Sequence, residues 1–122
     1  MKISALDDTG LSYAQACLLE GHSRLLFLSG QIPETPEGQV PGDFEGQCRQ
    51  VWRNLERQLA AAGMDWRNLV KVTTFLSDRR WREDNRRIRI EVLGDHAPAL
   101  TVIITGIYDE AWLLEIEAVA AA

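Results

Sequence analysis

The sequence predicts an α+β fold in which two helices pack on one face of a mixed sheet. Three observations carry that prediction. Two segments repeat apolar residues at three- and four-residue steps, short runs of strand character stand before, between and after them, and Gly, Pro, Asp and Ser mark the joins. Residues 11–20 and 25–29 read as the first two strands, and Gly21-His22-Ser23 between them is turn chemistry that suits a hairpin. From Gly30 to Gly42 the chain holds Pro33, Pro36, Gly38 and Pro41 with almost no periodicity. That is a loop, and one of this length in a small domain is more often functional than idle. Asp43 then caps a helix whose positions Cys48, Val51, Trp52, Leu55, Leu59 and Ala62 form one apolar stripe, with Gly63 as terminator. Residues 70–76, rich in Val, Thr and Phe, read as a strand. Asp78 caps a second helix with Trp81, Ile88, Val92 and Leu93 on its apolar side, and Gly94 ends it. Residues 100–107 are a nearly continuous β-branched run, residues 112–120 alternate, and Tyr108-Asp109-Glu110 is the turn joining them. The order is ββαβαββ. Helices on one face leave the other to be covered, yet Val102, Ile104 and Gly106 alternate with Thr101, Ile103, Thr105 and Ile107, apolar on both sides. Self-association is the expected cover.

Composition narrows the function classes. With 122 residues and 46% apolar content, residues 1–122 read as a single domain around one core. Met1-Lys2-Ile3-Ser4 runs straight into polar sequence and no 18-residue apolar run follows, so a soluble, cytoplasmic protein without a membrane partner is expected. A formal charge of −5 argues against broad binding to nucleic acid or anionic lipid, which needs surplus Lys and Arg. Cys17 and Cys48 have no Cys or His at metal-ligand spacing, so both are expected to be reduced thiols and no metal is expected.

Several residues invite a chemical reading. Glu115 and Glu117 alternate along the last strand, which puts both carboxylates on one face with Cα atoms about 7 Å apart. In a partly dry cleft such a pair supplies an acid or base near neutrality; on a solvated edge it supplies nothing. Tyr13 either orients a ligand through its phenol or buries its ring with the hydroxyl bonded. Ser29-Gly30-Gln31-Ile32-Pro33 ends a strand and either presents backbone N–H groups or merely turns the chain. His22 and His96 have no sequence-near partner for a triad and are assigned to loops. Residues 79–89 hold six arginines beside Trp81. Four-residue pairs of Arg79 with Glu83, Arg80 with Asp84, Glu83 with Arg87, and Arg87 with Glu91 favour a solvated, ion-paired face over an RNA site.

Taken together, these pieces resemble the YjgF/RidA family, also described as translation inhibitors or L-PSP endoribonucleases. The resemblance runs through Tyr13-Ala14-Gln15-Ala16, Leu28-Ser29-Gly30-Gln31-Ile32-Pro33, Gln47, Asn54-Leu55, Ala61-Ala62-Gly63, residues 70–78, Asn85, Ala97-Pro98-Ala99 and residues 115–120. It implies a chorismate-mutase-like fold and a homotrimer with small-molecule clefts between subunits. It also implies cofactor-free hydrolysis of reactive imines and enamines to 2-oxo acids and ammonia. By position, Tyr13, Ser29, Gly30, Asn85, Leu100, Thr101 and Glu115 would line the cleft, with Glu115 activating water and shuttling a proton. One departure stands out: after Pro98-Ala99 the active deaminases carry an arginine that grips the substrate carboxylate, and this chain has Leu100. Charge-assisted hydrogen bonds contribute about 1.5 to 3 kcal/mol each, so ordinary 2-imino acid deamination is expected to be weak or lost. The stretch before Ala97-Pro98 is also about two residues shorter than the family spacing. Three functions stay open: an imine or enamine hydrolase with another arginine in the cleft, Arg24 being one choice; a non-catalytic metabolite-binding module; and an RNA-directed activity, which the net charge disfavours.

Overall fold

Asp43 caps the first helix as its side chain predicts: in extended conformation it accepts a hydrogen bond from Gly46 N at 2.9 Å. In the computed structural model, which describes residues 1–122 throughout, that helix is α1 (Phe44–Ala61), preceded by β1 (Lys2–Asp8), β2 (Ala14–Glu20) and β3 (Leu25–Gln31). It is followed by β4 (Leu69–Leu76), α2 (Arg82–Leu93), β5 (Ala99–Ile104) and β6 (Leu114–Ala121). Single 3₁₀ turns, capped by Asp65 and Asp78, precede β4 and α2. No helix is long and apolar enough to cross a membrane.

The six strands form one mixed sheet in the order β1-β2-β5-β4-β6-β3. β4 runs parallel to β5 and antiparallel to β6, so α2 is the crossover between parallel neighbours. Alternation sets the two faces. Val72, Thr74 and Leu76 of β4 and Leu114, Ile116, Ala118 and Ala120 of β6 are buried beneath the helices. They meet Val51, Trp52, Leu55 and Leu59 of α1 and Ile88 of α2 in one core. Burying a side chain such as Leu55 or Leu59 stabilises the fold by about 1.5–3 kcal/mol. Cys48 sits in the same core, where desolvation pushes its thiol up to about 12 and keeps it protonated and unreactive. Glu115, Glu117, Phe75, Thr101 and Ile103 occupy the opposite, uncovered face, joined by Phe27 and Leu25 of β3.

The α+β class and both helices stand as the pattern predicts, except that Asp78 caps the 3₁₀ turn ahead of α2 and not α2 itself, whose N-cap Trp81 makes no side-chain hydrogen bond. Three details of the sheet also differ. A sixth strand, β1, pairs with β2 from Lys2↔Glu20 to Asp8↔Ala14. As an edge strand that is mostly exposed it carries little hydrophobic signal and is held largely by backbone hydrogen bonds. Gly21-His22-Ser23 bends the chain, with Gly21 at φ +66, yet makes no hairpin: β2 pairs with β1 and β5, and β3 pairs with β6 at the far edge, running in the same direction as β2. Turn chemistry dictates that the chain turns, not which strand it finds. Likewise β5 ends at Ile104, and Tyr108-Asp109-Glu110 belongs to a connection that passes β4, which lies between β5 and β6.

Candidate functional site

Between α2, β5 and the β1–β2 connection lies a cavity of about 440 Å³. Three of the residues singled out in the sequence line it: Tyr13, Asn85 and Leu100. Tyr13 is aimed there by its neighbour. Ser12 is buried at φ +58, an uncommon conformation for a serine, and its Oγ donates to Gly94 O at 2.5 Å, tying the connection to the end of α2. Thr9 Oγ1 donates to Tyr13 O at 2.8 Å, and Ala14 N to Pro98 O at 3.0 Å. Leu100 packs partly on the core and presents an aliphatic wall, with Val102 beside it.

The remaining wall is cationic. Arg82, Arg86 and Arg89 line the cavity together with Glu83. Arg89 is only 4% exposed; its guanidinium stands 5.5 Å from the Tyr13 ring centroid, and Nη2 donates to Leu11 O at 3.1 Å. Burial lowers its pKa from the ordinary arginine value, Tyr13 opposes that shift, and the neighbouring Arg86 charge adds to it. Sequence reasoning placed these arginines on a solvated face. The signal was nonetheless there: positions 82, 85, 86 and 89 form one helical stripe, so putting Asn85 in a cleft puts three arginines beside it.

Of the four ion pairs expected along this segment, Arg87 with Glu91 forms, at 3.3 Å. Arg79 and Arg80 lie in a 3₁₀ turn, which breaks the four-residue geometry that Arg79–Glu83 and Arg80–Asp84 need, and Arg80 stacks over Trp81 instead, 4.8 Å from the ring centroid. Arg87 also pairs with Asp84 at 3.6 Å and, across to α1, with Glu45 at 2.8 Å; Arg49 of α1 returns the link to Glu91 at 2.8 Å. Hydrogen bonds from Arg87 and then Arg49 hold Glu45 below the usual carboxylate range, and those from Arg49 and then Arg87 do the same for Glu91. The network is exposed and joins the two helices.

Gly30 and Glu115 meet elsewhere, on the uncovered face. A Cβ on Gly30 would stand 2.7 Å from Glu115 Cδ, so the side chain of Glu115 occupies the space that any other residue at position 30 would need. The register between β3 and β6 shifts between Leu28 and Gln31, and Ser29 lies exposed in this irregular stretch. The loop beyond it is pinned by Asn54 of α1, whose Nδ2 donates to Ile32 O at 2.9 Å and Glu34 O at 3.0 Å. Thr101 also faces this side, accepting from Lys71 Nζ at 2.7 Å. Within one chain Arg24 is in neither place: its Nη1 donates to Ala62 O at 2.9 Å, and its backbone bonds Ala122. His96 Nε2 lies 2.7 Å from Leu69 O, and no group of three His, Cys, Asp or Glu side chains converges as a metal site would require.

Within one chain, then, the expected site residues form two groups on opposite faces of the sheet. One is a cavity of mixed apolar and cationic character, fit to hold an anion with an apolar body. The other presents a carboxylate near the start of β6, fit to move a proton. The family profile described as endoribonuclease L-PSP matches residues 4–122. A RutC family protein of Pyrococcus horikoshii is 36% identical over 97 residues, 78% of this chain and 77% of that protein. The 2-iminobutanoate/2-iminopropanoate deaminase of Rattus norvegicus is 42% identical over 69 residues, 55% of this chain but 48% of that protein. The crystal structure of YyfB, a protein of unknown function of the conserved Rid family from Yersinia pestis, superimposes with a TM-score of 0.87 over 100% of both chains at 20% identity, a likeness of fold. With a profile match over nearly its whole length and a relative aligned over more than three quarters of it, the chain belongs to the YjgF/RidA family.

Proposed function

We propose that this protein binds a small metabolite in clefts between the subunits of a homotrimer and hydrolyses an imine- or enamine-type substrate there. One observation carries the reading: the cavity residues and the Gly30–Glu115 pair lie on opposite faces of the same sheet, so they meet in one cleft only when copies of the chain adjoin. The uncovered face supports it. Phe27 is 73% exposed and Ile103 42% exposed there, beside Phe75 and Val119, and a second copy is the natural cover. Homology to an iminobutanoate/iminopropanoate deaminase supports the chemistry.

The reaction needs a base and a positioned substrate, and no cofactor. Tyr13 and the aliphatic wall of Leu100 and Val102 hold the substrate body. Glu115 of a neighbouring copy accepts a proton from water as its oxygen adds to the carbon of C=N and passes it to the nitrogen, giving the carbinolamine; the same carboxylate then carries the hydroxyl proton to the nitrogen as C=O forms and ammonia leaves. The sum is imine plus water to ketone plus ammonia. The cytoplasm, where pyridoxal-phosphate enzymes release such imines, is the compartment we assign.

The test is direct. Imines generated in situ by an amine oxidase should lose ammonia faster with the protein than in buffer, and 2-imino acids from an amino-acid oxidase should gain less, because Leu100 offers their carboxylate no guanidinium. Glu115→Gln should lower that acceleration by about a hundredfold or more while the thermal midpoint stays unchanged. Leu100 favours a second reading, a non-catalytic binding module, because an aliphatic side chain stands where the family's active deaminases place an arginine. Binding of the 2-oxo acids with no acceleration for any imine would establish that reading and end the first.

A further inference from the structure

Four buried side-chain polar atoms in the molecule lack a hydrogen-bond partner, and two of them, Asn85 Oδ1 and Arg89 Nε, belong to the one cavity wall formed by α2. Asn85 is 3% exposed and Arg89 4%, one helical turn apart. The first is an acceptor without a donor and the second a donor, on a cation, without an acceptor. Arg89 does have structural partners, through Nη2 to Leu11 O and over the Tyr13 ring, but these leave Nε unused. Native interiors seldom leave such atoms unpaired, and a charged one is the most costly to leave so. The surroundings say what would satisfy them. Arg82, Arg86 and Arg89 face the cavity with Glu83 as the one carboxylate, in a chain whose net charge is −5. None of these three arginines forms an ion pair, whereas Arg87, on the back of the same helix, pairs with three carboxylates. The opposite wall, with Leu100 and Val102, is aliphatic.

We propose that Arg89 is the anion-binding residue of this cavity: it receives a ligand carboxylate at Nε from the α2 side, while Asn85 Oδ1 accepts an N–H of the same ligand. The inference rests on the cavity being the substrate-binding half of the interface cleft proposed above. It specifies the substrate as a carboxylate with an adjacent N–H and an apolar side chain. It also revises the consequence drawn from Leu100. The guanidinium absent from β5 is supplied by α2, so the chain retains its grip on an anion and gains an aliphatic wall at position 100. The planar fork of arginine suits the task, and lysine does not reproduce it.

Two probes separate charge from shape: 2-oxobutanoate, and 2-butanone as its uncharged analogue. In wild-type protein carrying ¹⁵N-arginine, the Arg89 Nε–H resonance should shift on titration with the oxo acid and stay in place with the ketone. By calorimetry, Arg89→Met should weaken oxo-acid binding by about tenfold or more and Arg89→Lys by less, with the ketone unaffected by either. An Nε–H resonance unmoved at saturation overturns the proposal, as does a folded Arg89→Met protein that binds the oxo acid as wild type does, or a wild type that does not bind it. The resonance experiment uses the unaltered chain, so a variant that fails to fold leaves the question decidable. The outcomes also part this inference from the hydrolase reading. Oxo-acid binding through Arg89 without imine hydrolysis ends the hydrolase and leaves the anion site; hydrolysis that needs Glu115 but is indifferent to Arg89 does the reverse.

Discussion

The missing side chain of Gly30 is what gives Glu115 its place: a Cβ there would stand 2.7 Å from Glu115 Cδ, inside van der Waals contact. Position 30 has an ordinary φ, so alanine suits its backbone and the conflict is with the carboxylate alone. Gly30→Ala is therefore expected to turn the Glu115 side chain away while sparing the fold. Imine hydrolysis should fall by about ten- to a hundredfold, as for other displaced acid–base groups, with a circular-dichroism spectrum and thermal midpoint close to wild type. A large loss of stability, with activity per folded molecule unchanged, would mean that Glu115 has room elsewhere and that the glycine serves the backbone. At this scale the sequence was half legible. Tyr13, Gly30 and Glu115 stand out by residue type and position, Asn85 and Leu100 only through family likeness, and the structure brings each to the cavity or to the Gly30–Glu115 pair. Arg89 does not stand out, because an arginine among acids reads as solvated until a helix is placed against a cavity.

Among the elements, α1 does more than cover the sheet. Asn54 and Gln47 are buried on it, each bridging chain segments that have no regular structure of their own. Asn54 holds the loop after β3 through Ile32 O and Glu34 O. Gln47 donates to Pro41 O and Ala111 O, both at 3.0 Å, and accepts from Leu113 N at 2.8 Å, so one side chain joins that loop to the β5–β6 connection. Asn54→Leu should leave Glu34 O and Gln50 Nε2 without the partner that Asn54 gives them, while Ile32 O keeps the Glu34 N–H, and should destabilise the protein by about 1–3 kcal/mol for each unsatisfied group. Amide exchange should rise first in residues 32–43, the segment that carries the strain of losing its anchor. Uniform exchange across the sheet would show instead that the whole core had loosened. Both helices were readable because caps and apolar stripes are local signals: Asp43, Gly63 and Gly94 sit where the sequence puts them. Strand pairing was not. β1 is an exposed edge, and the partners of β2 and β3 are decided by residues far away in the chain.

For the molecule as a whole, the proposed cleft stands or falls with assembly. Sedimentation equilibrium should give about three times the 13.7 kDa chain mass at micromolar concentration. Phe27→Asp, on the exposed apolar face, should shift that mass toward 13.7 kDa and abolish hydrolysis with it, because a charge cannot be buried there unpaired. A wild-type monomer that hydrolyses imines would require both halves of the site to work within one chain, and the interface reading would be lost. Leu100 and Val102 point into the cavity while Thr101 and Ile103 point to the uncovered face, from one strand locked between β2 and β4. Deleting a single codon within β5 would exchange the two sets. Such an allele would lose ligand recognition and assembly in one step, and no compensating substitution confined to either surface would recover it; a suppressor would have to restore the reading of the strand itself.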